Sequence, residues 1–176
     1  HIPKAYAMVL LAELNRARVT GTALSAQGSS AGNWLLDHAD LNSKGVVGWG
    51  VPVAWDAFGD GTVNPAHTVY TISTGIVVKA LLDWSEFDQG APTRRIFRTV
   101  SLAIATFLDD AMRSPSGLLP FSLEPPDRRY DTFNPAAYLA GQIQRWSLLA
   151  PEPVIKARAA AVADATMRAL LDHHMV

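Results

Sequence analysis

The tripeptide Asn-Pro-Ala occurs twice, at Asn64-Pro65-Ala66 and at Asn134-Pro135-Ala136, 70 residues apart in a chain of 176. Each copy follows a polar, aromatic stretch and precedes an apolar run with helical spacing. The surroundings repeat as well: Gly50-Val51-Pro52-Val53-Ala54-Trp55 leads into the first copy, and Gly117-Leu118-Leu119-Pro120-Phe121-Ser122 leads into the second. The repeated unit therefore reads as loop, helix, short turn, helix. A period this long with two helices per unit is the pattern of stacked or circularly arranged helical hairpins, because one hairpin cannot bury its own apolar face.

Reading along the chain predicts helices joined by long loops. Tyr6, Val9, Leu10 and Leu14 recur at helical spacing over residues 3–18, with Pro3 suited to the first turn. A shorter helix capped by Ser30 turns Trp34 and Leu35 inward and fades near Asn42. Residues 41–63 hold five glycines and two tryptophans without periodicity, more than a connector needs. Asn64 as N-cap with Pro65 at the first helical position predicts a buried inner helix running through Val69, Ile72, Ile76, Leu81 and Trp84. Residues 93–113 form an amphipathic outer helix, with Arg94, Arg95, Arg98 and Asp110 toward water. After a loop with four prolines over 114–133, Asn134-Pro135 starts a fifth helix that ends near Leu149, and residues 152–173 form the last. No strand alternation of useful length exists, so residues 1–176 are expected to form a single all-α domain.

Composition narrows the functions. Fifteen basic and 16 acidic residues leave a formal charge of −1, which provides no field to gather nucleic acid or an anionic membrane surface. No apolar run reaches the length of a membrane span. The absence of cysteine removes disulfides, thiolate metal sites and thiol catalysis. The paired histidines His173 and His174 lack a suitably spaced third ligand, so no metal and no cofactor are expected. The chain begins at His1, as a processed protein or a piece of a longer one does.

The run Gly48-Trp49-Gly50-Val51-Pro52 with Trp55, then His67-Thr68-Val69-Tyr70-Thr71-Ile72 and Ala80-Leu81-Leu82-Asp83, resembles the (α/α) toroid proteins of the six-hairpin glycosidase type. The second unit, Gly117 to Ser122 followed by Asp131 and Asn134-Pro135-Ala136, is similar in the same way. More narrowly, the resemblance is to toroid-like proteins associated with bacterial cell-surface polysaccharide production. It covers roughly residues 48–149. A complete toroid of that kind has about twice as many helices. The chain is then a fragment, a half-ring completed by pairing with another copy or with a missing remainder, or a different bundle built from the same hairpin.

What the resemblance implies is a ring of inner helices whose leading loops line a sugar-binding cavity, and a carbohydrate as partner. A cell-surface or extracellular polysaccharide as substrate favours a periplasmic or extracellular location. The residues themselves add aromatic rings among polar groups on the two loops: Trp49, Trp55, Phe58, Phe121 and Tyr130 are candidates to stack on sugars, with Arg128 as a candidate for an anionic sugar. Each aromatic can equally plug the end of the bundle. Asp56, Asp60 and Asp131 are candidate carboxylates for hydrolysis, which uses two of them. Asp60-Gly61 also reads as a turn, and Asp131 as a helix cap. His67 and Tyr70, three apart in the first turns of the expected inner helix, are candidates to move a proton beside a sugar carboxylate, as a lyase or epimerase requires. The alternative to a carbohydrate-active enzyme is a non-catalytic helical module that binds glycan or a partner protein in the same cleft.

Overall fold

The computed structural model describes residues 1–88, 90–108, 113–150 and 152–174. Among these it is all-α, with α1 at Pro3–Thr20, α2 at Ala26–Asp37, α3 at Thr71–Phe87, α4 at Thr93–Ala105, α5 at Phe133–Leu149 and α6 at Pro153–His174, plus a 3-10 turn at Pro125–Arg129. The helices pair as consecutive hairpins. α1, α3 and α5 lie side by side in one row, while α2, α4 and α6 each pack on the hairpin partner that precedes them in the chain.

Sequence chemistry explains the row. Along α3, Ile76, Val77, Val78, Ala80, Leu81, Leu82 and Trp84 are buried together with the small residues Thr71, Ser73, Thr74 and Gly75. A helix apolar on nearly every side has to sit between neighbours, and α3 packs against α1, α2, α4 and α5. α4 instead buries only Ile96, Val100, Ala103 and Ile104, one face of an outer helix. One contiguous core runs from Ala7 and Leu10 of α1 through α3 to Ala159, Val162 and Leu170 of α6. Small residues set how closely the helices approach: a Cβ on Gly32 of α2 would stand 2.3 Å from the ring of Trp84.

Several boundaries differ from expectation. Ser25, not Ser30, caps α2, its hydroxyl accepting from the Gly28 amide. Trp34 is only partly buried, because its ring stacks between Tyr6 at 3.9 Å and His38 at 4.2 Å on the surface of the first hairpin. The helix expected over 93–113 is described to Ala105, and Asp110 lies outside the described residues. The largest correction concerns α3, which starts at Thr71 rather than at Asn64.

Candidate functional site

Between α2 and α3 the chain runs for more than thirty residues without a helix, and its partner between α4 and α5 is nearly as irregular. Three extended segments from these loops lie edge to edge. Tyr70 N–H donates to the Trp49 carbonyl (3.1 Å) and His67 N–H to the Val51 carbonyl (2.6 Å), tying 49–51 to 67–70. On the other side Thr71 N–H donates to the Phe121 carbonyl (3.0 Å) and Leu123 N–H to the Val69 carbonyl (3.1 Å). The Gly48-Trp49-Gly50 run has a steric cause: a Cβ on Gly50 would lie 1.7 Å from the Thr68 carbonyl oxygen, so only glycine lets the two segments touch.

Beneath this surface is a buried polar network. Asp127, 2% exposed, accepts from the Asn64 amide (2.6 Å) and from the Ser122 hydroxyl (2.6 Å), and the same Asn64 amide nitrogen donates to the Tyr70 hydroxyl (3.3 Å). This is why Asn64 does not cap a helix. Its amide is committed to a carboxylate 63 residues away, and a buried carboxylate holds such a donor more strongly than the N–H groups of a helix end. His67, at φ +64°, is the only non-glycine residue with positive φ among the described residues. A helix from Asn64 through that conformation is impossible, so His67 and Tyr70 do not share a helical face. Tyr70, 1% exposed, is the N-cap position of α3. Burial pushes its phenol up; the Asn64 hydrogen bond opposes this, while Asp127 and Glu124 add to it.

Above the network the rings converge. Trp55 lies 5.6 Å from Tyr70 and 6.1 Å from Phe121; Phe121 lies 5.0 Å from Phe58; Phe58 stacks on Tyr130 at 3.9 Å. Trp55 is 43% exposed, and Phe58, Phe121 and Tyr130 are half-buried. Edge-to-face pairs of this kind hold one another at about 0.5–1.5 kcal/mol each beyond their burial. Trp49, expected beside them, is instead buried in the core, where its indole N–H donates to the Leu35 carbonyl at 3.0 Å. The alternation of the chain at Gly48-Trp49-Gly50 turns it toward α2, away from solvent.

Charged groups edge the aromatic face. The Asp60 carboxylate accepts from the Tyr130 hydroxyl and from Arg129, and the Thr62 amide donates to it at 2.8 Å. The Tyr130 hydrogen bond first, then the Thr62 amide, hold its carboxyl well below the usual range; burial opposes them, and the Thr62 hydroxyl and the Arg129 charge add smaller contributions. The Asp60 hydrogen bond in turn raises the Tyr130 phenol. The Arg129 guanidinium also lies over the Tyr130 ring at 5.1 Å, and Arg128 is half-buried beside it on the 3-10 turn.

The other two carboxylates serve the loops. Asp56 accepts from the amides of Phe58, Gly59, Asp60 and Gly61, the closest at 2.7 Å, which shapes the turn that Gly59 and Gly61 complete with positive φ. The expected Asp60-Gly61 turn is thus present. Asp131 does not cap α5, whose N-cap is Thr132; it accepts from the Ser114 hydroxyl (2.6 Å) and from the Ser116 amide and hydroxyl (3.2 and 2.7 Å), closing the second loop. Burial raises the Asp131 carboxyl, but the two serines outweigh it and the net displacement is downward. The structure brings together Trp55, Phe58, Asp60, Tyr70, Phe121, Arg129 and Tyr130, and it commits Asp56 and Asp131 to separate donors.

Residues absent from the sequence-based list carry the scaffold: Asn64, Ser122 and Asp127, with Lys44 paired to Glu124 at 2.9 Å across the two loops. No local pattern marks Asp127, which sits in an exposed-looking Pro-Pro-Asp-Arg-Arg run. Among the described residues no three His, Asp or Glu side chains converge as a metal site would require, and no helix is long and apolar enough to cross a membrane. No protein-family model matches this chain, and no curated protein is similar to it in sequence.

Proposed function

We propose that this chain is a carbohydrate-active unit of the (α/α) toroid type that holds a segment of a cell-surface or extracellular polysaccharide against the face formed by Trp55, Phe58, Phe121 and Tyr130. The observation that carries the reading is the convergence of these rings from two loops, with Trp55 43% exposed and the Asp60, Arg129 and Tyr130 group at the margin. Flat aromatic surface suits the C–H faces of sugar rings, and paired charges beside it suit their hydroxyls. The toroid supports this frame through the resemblance and through three consecutive hairpins with α1, α3 and α5 in a row, the arrangement from which an inner ring is built.

Binding is the role the groups on this face support best. A glycosidase needs one carboxylic acid that is protonated and a second that is free to attack or to activate water. Asp56 is saturated by four backbone amides, Asp131 by two serines, and Asp60 is an ion-paired carboxylate with its pKa held low. One observation favours a second reading, elimination or epimerisation at a uronate. His67 keeps a strained positive φ on the same loop, a cost that residues with a functional duty more often bear. In that reading Arg129 faces the sugar carboxylate and His67 takes the proton.

The test is a titration against neutral and uronate polysaccharides, following intrinsic tryptophan fluorescence, new reducing ends and the ultraviolet absorbance of unsaturated uronates. Trp55→Ala is expected to weaken glycan binding at least about tenfold, or 1.4 kcal/mol. Binding that survives Trp55→Ala and Tyr130→Ala unchanged overturns the assignment of the face. Absorbance that appears with the parent chain and vanishes in His67→Ala selects the lyase reading.

A further inference from the structure

One cleft on the described surface lies away from the aromatic face. It measures 740 Å³ and lies at the start of α4, where Arg94, Arg95 and Arg98 line it beside Pro92; an adjoining cleft of 350 Å³ shares Arg95 and Arg98. α3 begins under the aromatic face and ends just before α4, and a helix of 17 residues is roughly 25 Å long, so the two places are at opposite ends of the molecule.

The charge at this cleft is arranged against the stability of α4. Three guanidinium groups occupy its first two turns, the first turn contains no acidic residue, and no side chain caps it. Cations at a helix N-terminus oppose the helix dipole, and Arg94 and Arg98, four apart, repel each other. Among the described residues, Arg95 alone of the three has a carboxylate partner, Asp37 at 2.5 Å. Arg94 and Arg98 form no ion pair with any described residue, and Asp40 is the remaining acid lining the adjoining cleft. Two uncompensated guanidinium groups beside a third, over a cleft large enough for a small molecule, match a ligand with two negative charges.

We propose that this cleft binds a phosphoryl group, with Arg94 and Arg98 supplying the charge and Arg95, oriented by Asp37, the third fork. Planar guanidinium groups bind tetrahedral oxyanions through paired N–H donors, which an ammonium group cannot reproduce. The shared chemistry covers free phosphate, pyrophosphate and the diphosphate of a nucleotide. The site is separate from the aromatic face and independent of the glycan reading.

Calorimetric titration of the full chain in low-salt buffer with inorganic phosphate, pyrophosphate and a nucleoside diphosphate tests it. Saturable binding of at least one anion is expected, weakened at least about tenfold in the Arg94→Gln/Arg98→Gln double variant. Arg16→Gln, which removes a surface charge paired to Glu13 elsewhere, is expected to leave the affinity unchanged. A nucleoside diphosphate that binds no better than pyrophosphate identifies the phosphoryl groups as the whole ligand; tighter binding adds a contact to the base or sugar. The double variant is expected to fold and to melt no lower than the parent without ligand, because it loses like-charge repulsion. The proposal is overturned if no anion binds saturably, if the double variant binds as tightly as the parent chain, or if Arg16→Gln weakens binding as much as the double variant does. Glycan titration of the double variant is expected to match that of the parent chain.

Discussion

The same tripeptide has two structures here. Asn64-Pro65-Ala66 sits in an irregular loop, with the Asn64 side chain buried against Asp127 and Tyr70 and the helix beginning only at Thr71. Asn134-Pro135-Ala136 lies within the first turn of α5, with Asn134 exposed. Both copies carry the local signals of a helix start. The second does stand at a helix start, although Thr132 takes the N-cap position without a side-chain hydrogen bond and Asn134 falls inside the first turn. The first is overruled by a buried carboxylate that needs donors, and the helix cap worth about 1 kcal/mol gives way to hydrogen bonds to a charged group worth about 1.5–3 kcal/mol.

The comparison is broken most decisively by removing each asparagine. Asn64→Ala strips a donor from a carboxylate that is 2% exposed and leaves the Tyr70 hydroxyl without that partner, and it is expected to cost about 3 kcal/mol. Asn134→Ala is expected to change stability by less than about 0.5 kcal/mol. Denaturant unfolding of both variants measures the difference, and equal losses would mean that the two copies serve the fold alike.

Next in size is the acid limb of stability, which separates the two loops by their carboxylates. Asp60 on the first loop and Asp131 on the second both have pKa values below those of an unfolded aspartate, the first chiefly through the Tyr130 hydroxyl, the second because Ser114 and Ser116 outweigh the effect of burial. A lowered folded-state pKa contributes stability that is complete above the unfolded value near about 4 and is lost as pH falls through the folded value. Unfolding measured from neutral pH down to pH about 2 is expected to show that loss, and Asp131→Asn is expected to make its slope shallower while lowering stability at neutral pH. A slope identical to that of the parent chain would show that Asp131 is not held as described.

The smallest effect concerns His67, whose φ of +64° has no counterpart near Asn134. His67→Gly relieves the steric cost of that conformation but gives the unfolded chain more freedom, so a net gain of about 0.5 kcal/mol is expected in thermal unfolding. A loss of stability would show that the imidazole holds the loop through its own contacts. A gain accompanied by loss of any uronate chemistry would favour the second functional reading.

How much could be read in advance follows from the range of each interaction. The apolar spacing of Leu10 and Leu14, or of Val77, Leu81 and Trp84, is a local property, and it marked α1 and the inner position of α3 correctly. Clustered loop aromatics were recognisable as a group because their types and positions are unusual, and four of the five expected meet. Trp49 was not separable from them, since its inward turn depends on the Leu35 carbonyl and on Thr68 excluding a side chain at Gly50. Asp127 looked like part of a solvated charged run.

By itself, then, the sequence determined that this protein is built from consecutive helical hairpins, which helices carry one apolar face or several, and that its polar and aromatic variety is concentrated in two loops. Those properties depend on neighbours within a turn or two of helix. The tertiary structure alone decided where α3 begins, which aspartates serve the fold rather than an open site, and that three arginines share a cleft. Each of these depends on a partner brought close by folding, as Asn64 is to Asp127 across 63 residues, where a buried hydrogen bond to charge exceeds the local preference of asparagine for a helix cap.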